Sequence, residues 1–181
     1  MPDPSVSALA AWNGFYVIVG SSAAALTGLM FVVVSLVPDS RTSASGAGIE
    51  AFGTPTVVHF CAALLMSGVI CAPWPRLWQA GIAIFAIGVA GVLYAVLVTQ
   101  RAKRQKDYAP VFEDWLWHSI LPAIAYAAFV LSAALLKSNV VSSLFVCGGA
   151  AMLLLFIGIH NAWDTVTYMA IERLKNMKHG R

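Results

Sequence analysis

Residues 77–99 read LWQAGIAIFAIGVAGVLYAVLVT, and residues 100–106 read QRAKRQK. The first stretch runs 23 residues without a formal charge. The second packs four cations, Arg101, Lys103, Arg104 and Lys106, into seven positions. A hydrocarbon core about 30 Å thick needs about 20 apolar residues of helix, because each residue rises about 1.5 Å. A helix that meets this length, with four cations after one end and the single Arg76 before the other, reads as a membrane span stopped on the cytoplasmic side.

Four more such stretches lie on either side of it. One runs from about Asn13 to Val37 and stops at Pro38-Asp39, before a Ser- and Gly-rich loop over Asp39–Gly53. Thr54-Pro55 then supplies a helix N-cap with proline at the first helical position, and that span ends near Cys71, where Pro73 and Pro75 follow. The fourth runs from about Glu113 to Leu136 with Pro122 inside it, and the fifth starts near Val140 and is apolar to about Ile159. Its helical pattern continues past the membrane edge to about Met177. The expected architecture is all-α: residues 1–181 as one transmembrane helical domain, with spans at about 13–37, 55–71, 77–99, 113–136 and 140–160. The segment Met1–Trp12 has no Lys or Arg, so it lacks a signal-peptide n-region and the first apolar stretch is expected to persist as a helix.

Composition agrees. Hydrophobic residues make up 60% of the chain and charged ones 10%, where soluble domains carry about 25% charged residues. A water-soluble fold of this size lacks the interior volume to hide that much apolar surface. The net charge of +3 sits at helix ends, which points to anionic lipid headgroups at the cytoplasmic face and away from nucleic acid. Cys61, Cys71 and Cys147 lie in apolar stretches without metal-type spacing or a disulfide framework.

Orientation follows from the cations. With the N-terminus outside and the C-terminus inside, nine of the eleven basic residues fall on the inner side: Arg41, Arg101, Lys103, Arg104, Lys106, Arg173, Lys175, Lys178 and Arg181. Only Arg76 and Lys137 fall outside. Trp12, Tyr16, Trp74 and Trp78 would mark the outer interface, and Trp115, Trp117, Trp163 and Tyr168 the inner one. These features fit a multi-pass protein of a bacterial-type inner (plasma) membrane.

In lipid, helices associate through close backbone approach and polar contacts. Gly20, Ala24 and Gly28 share one face of the first span, Gly91 lies on a small-residue stripe of the third, and Gly148-Gly149 sit in the fifth. These positions are expected to pack against neighbouring helices, within one protomer or between copies in a homo-oligomer. Ser21, Ser22, Thr27, Ser67 and Ser132 are expected to satisfy their hydroxyls on their own helix backbone.

Ionisable side chains near a span are costly and invite a functional reading. His59, His118 and His160 come from three spans and fall at a similar inner-leaflet depth. Asp114 lies four residues before His118, Asp164 four residues after His160, and Asn161 beside it, so each carboxylate shares a face with its imidazole. Pro122 cannot bond the carbonyl of His118, which leaves that acceptor free.

Three kinds of chemistry fit this set. A permeation path or proton relay for an ion channel would use His59, His118, His160, Asp114, Asn161 and Asp164 at its inner mouth. A zinc site would take His59, His118, His160 and Asp164 and support metal-dependent hydrolysis. A histidine pair could instead hold haem b. The channel reading leads, in an oligomer, and the enzyme reading follows. The plainer alternative is a structural or partner-binding membrane protein whose histidines are isolated, hydrogen-bonded side chains.

Overall fold

The computed structural model describes residues 8–35, 54–104 and 112–179. They form α1 (Asn13–Ser35), α2 (Thr54–Cys71), α3 (Leu77–Arg104), α4 (Phe112–Trp115), a π-helical turn (Leu116–Ile120), α5 (Leu121–Leu135) and α6 (Val140–His179). No strand occurs among the described residues. The loop Asp39–Gly53 with Arg41, the segment before Ala8, and Lys106 and Arg181 lie outside them. So do the side chains of Lys103, Arg104, Asp114, Tyr168, Arg173, Lys175 and Lys178.

Five helical stretches are long and apolar enough to cross a bilayer: Asn13–Val33, Thr54–Cys71, Leu77–Arg101, Leu116–Leu135 and Val140–Thr167. Their outward faces are as oily as their inward ones. Ile18 on α1 and Phe145 on α6 are 68% and 66% exposed, with Leu93, Val96, Leu97 and Phe156 also facing out. Soluble monomers rarely expose apolar surface on this scale, whereas a lipid solvent removes the penalty. These helices support a multi-pass membrane protein.

The core is shared by all five rods. α2 packs on α1, α3 and α6, while α5 packs on α3 and α6. Tyr16, Val19, Phe60, Ala63, Met66, Ile84, Ala125, Tyr126, Phe129, Leu154 and Ile157 fill the interior. A proline-rich turn joins α2 to α3, and the Trp74 indole N–H bonds the Val69 carbonyl at 2.6 Å to tie it down. At the start of α6, Asn139 accepts the backbone N–H of Ser142 at 2.9 Å, a side-chain N-cap.

Glycines set the close approaches. Gly20 faces Ser67, Gly88 faces Val130, Gly148 faces the Trp12 ring, Gly91 lies under the Tyr126 ring and Gly158 under the Phe60 ring. A methyl group at Gly91 or Gly158 would overlap the aromatic ring above it. The expected face of Gly20, Ala24 and Gly28 meets a neighbour within the chain only at Gly20. Ala24 and Gly28 point outward, as does Gly149, and a methyl at Gly28 or Gly149 would meet none of the described residues. The reason is rotational: α1 turns Tyr16, Val19, Ala23 and Met30 inward, and that stripe leaves Ala24 and Gly28 on the far flank.

Hydroxyls largely satisfy their own helices, Thr27 on Ala23 and Ser67 on Ala63, both at 2.8 Å, and Ser21 on Val17. Ser132 departs from this expectation. Its hydroxyl bonds the Ser143 carbonyl at 2.9 Å, and the Ser143 hydroxyl bonds the Ser132 carbonyl at 2.8 Å, so the pair clamps α5 to α6. Small serines on both helices bring the backbones close enough for each hydroxyl to reach across.

Candidate functional site

One end of the bundle carries most of the buried polar side chains. His59, on α2, is 2% exposed and Asn161, on α6, is 1% exposed. Thr56, one turn before His59, is also buried. His59 Nδ1 lies 3.0 Å from the Tyr126 hydroxyl of α5. The Tyr94 ring of α3 meets the His59 ring edge-on, with centroids 6.5 Å apart. His118, in the π-helical turn, lies within electrostatic reach of His59.

Tyr126 reaches His59 because Gly91 lets its ring lie flat against α3. His59 is held at that height by the next residue, Phe60, whose ring fills the notch at Gly158 on α6. Two glycines on two helices thus fix one hydrogen bond between α2 and α5.

The π-helical turn supplies the rest. The N–H of Leu121 bonds the carbonyl of Leu116 across this wider turn, and Pro122, which lacks an N–H, follows at once. A regular turn there would need an N–H at position 122 for the carbonyl of His118. Widened turns of this kind recur at functional sites. Here the turn presents Trp117 to α6, where its ring stacks on His160 at 3.8 Å and 7°. His160 is half-buried, with Asp164 Oδ2 at 3.3 Å from Nδ1 and Glu113 Oε1 at 3.9 Å from Nε2.

The structure therefore sorts the three expected histidines into two settings. His59 turns inward to Tyr126, with His118 as its electrostatic neighbour, and His160 lies flat on Trp117 at the rim, between two carboxylates. Among the described residues, no group of three or more His, Cys, Asp and Glu side chains is arranged to hold a metal. Of the set His59, His118, His160 and Asp164, Tyr126 engages the first imidazole and Trp117 covers the third.

Sequence reading missed Tyr126, Tyr94 and Glu113 as members of this cluster. Tyr126 follows His118 by eight residues, just over two helical turns, so it falls on a neighbouring flank of the helix and no spacing singled it out.

The buried polar atoms are only partly matched. His59 Nε2 and both amide atoms of Asn161 have no hydrogen-bond partner among the described residues. Each such group costs about 1–3 kcal/mol when left dry, so it needs a role. No known protein family, curated protein or solved structure matches this chain, so its function has to be argued from this cluster.

Proposed function

We propose that this protein is a small multi-pass membrane protein that passes protons through the interior of its own helix bundle. The observation that carries the reading is the buried His59–Tyr126 hydrogen bond, with His59 Nε2 left over on its other side. An imidazole bonded at one nitrogen and open at the other is a relay. A proton taken up at Nε2 gives an imidazolium, Nδ1–H passes its proton to the Tyr126 oxygen, and the original phenolic proton leaves. His160, Asp164 and Glu113 form the mouth, and in this reading that end faces the cytoplasm, next to the basic loop.

Beyond Tyr126 the path meets a dry layer. Phe60, Ala63, Phe129 and Leu154 are fully buried there. The next buried polar group along α5 is Ser132, paired with Ser143, and Cys147 and the Tyr16 hydroxyl lie beside it. Six residues of helix separate Tyr126 from Ser132, a gap of about 9 Å. An apolar constriction of this length blocks ions until it wets, so the reading assigns this structure to a closed state. The tight aromatic packing and the lack of any charged side chain at mid-depth favour protons over hydrated metal ions as the cargo.

The test is proton uptake into liposomes carrying a pH-sensitive dye, driven by a potassium diffusion potential. The wild type is expected to acidify or alkalinise the lumen faster than empty liposomes. Tyr126→Phe and His59→Gln are expected to abolish the difference while leaving the protein folded. Equal rates for wild type, both variants and empty liposomes would sink the reading.

A further inference from the structure

We infer that His59 and Asn161 together hold an internal water site that feeds the relay, with Asn161 as its entry residue. The inference rests on the proton-relay reading and deepens it by naming what bridges the rim to His59. α2 and α6 run antiparallel, since three span crossings separate them, and Phe60 seats against Gly158 where they touch. His59 comes one residue before that contact on α2, and Asn161 three residues beyond it on α6. Both therefore lie on the same side of it, at depths that differ by about 3 Å of helix rise.

His59 Nε2, Asn161 Nδ2 and Asn161 Oδ1 have no hydrogen-bond partner among the described residues, and His160 Nδ1 at this level has only the Asp164 carboxylate, 3.3 Å away. The amide brings two donors and an acceptor, and the imidazole nitrogen is either, depending on tautomer. An internal water makes about three hydrogen bonds and occurs where buried polar groups are otherwise unmatched. A buried carboxamide and a buried imidazole at one depth supply those partners, whereas an apolar guest would leave every one of these atoms unpaired. Asn161 directly follows His160, which stacks on Trp117 at the rim. A water held by Asn161 thus stands between the rim and His59 Nε2, where the relay takes up its proton.

The experiment combines water-to-protein magnetisation transfer in solid-state NMR with liposome flux, on the full chain in lipid. In the wild type, the side-chain nitrogens of His59 and Asn161 are expected to gain magnetisation from water about as fast as His160 at the rim, and well ahead of the Phe60 and Leu154 amides. Asn161→Leu is expected to slow transfer to His59 and to cut proton flux about tenfold, the rate equivalent of one lost hydrogen bond. Its thermal stability should stay near wild type. Slow transfer to His59 and Asn161 in the wild type would overturn the water site, as would an Asn161→Leu protein that is clearly more stable with unchanged flux. Absence of flux in the wild type with rapid water transfer would instead overturn the relay and leave the water site standing.

Discussion

Replacing Gly91 and Gly28 with alanine in separate variants gives opposite outcomes, and the difference is a direct test of the packing. At Gly91 the added methyl would overlap Cγ, Cδ1 and Cε1 of Tyr126. Cγ is the root of the ring, so rotating the side chain does not clear the clash, and α3 must move away from α5. Overpacking of this kind costs about 1–3 kcal/mol. Because the ring is also tied to His59 through its hydroxyl, the upper half of that range applies. Alanine returns up to about 1 kcal/mol in helix propensity, leaving a net loss of about 1–2 kcal/mol. At Gly28 the methyl meets none of the described residues, so only the propensity gain remains, up to about 1 kcal/mol. The two variants should differ by about 2–3 kcal/mol in reversible unfolding from mixed micelles. The Gly91 variant should also lose the relay, since moving the Tyr126 ring draws its hydroxyl from His59. Equal unfolding midpoints for the two variants would refute the placement of Tyr126 against α3.

Further outcomes follow from the same contacts. Ser132→Ala and Ser143→Ala should couple in a double-mutant cycle by about 1 kcal/mol, within the range for interhelical hydrogen bonds in lipid; additive effects would deny the clamp between α5 and α6. Pro122→Ala restores an N–H beneath the His118 carbonyl and lets the widened turn relax, which swings Trp117 off His160 by about 100°. Nuclear Overhauser contacts between the Trp117 and His160 rings should be present in the wild type and absent in the Pro122→Ala protein. Phe129→Ala opens the dry layer and should raise proton leak through liposomes, at a stability cost of about 3–5 kcal/mol; unchanged leak in a folded variant would remove that layer as the barrier.

Hydropathy disclosed the five helices because lipid as solvent imposes its requirement residue by residue. Each span must be about 20 apolar residues long, and prolines at 55, 73 and 75 punctuate the chain where it turns. The inward stripe of α1 was less legible. In water the core-facing side of a helix is the apolar side, but in lipid both sides are apolar. The Gly20, Ala24 and Gly28 spacing therefore could not say which flank faced α2. The structure answers with Tyr16 and Val19, larger residues that sequence pattern gave no reason to prefer.

The candidate site was legible in its inventory and not in its pairings. His59, His118, His160 and Asn161 stand out as polar residues in apolar helices, and all four fall at the same end of the bundle. Their partners are set by contacts across 67 residues of chain in the case of His59 and Tyr126, and no local spacing encodes those. The carboxylates show the same limit from another side. Four-residue spacing matched Asp114 to His118, a pairing that lies outside the described side chains. The helix widens into a π-helical turn from Leu116 to Ile120, and Glu113, which no spacing paired with a histidine, comes within 3.9 Å of His160 on another helix. Pro122 announces in the sequence that the carbonyl four residues before it loses its usual helical donor. Whether the chain answers by kinking or by widening the turn depends on what the displaced side chains can find. Here Trp117 finds a flat imidazole to cover, which favours the wider turn.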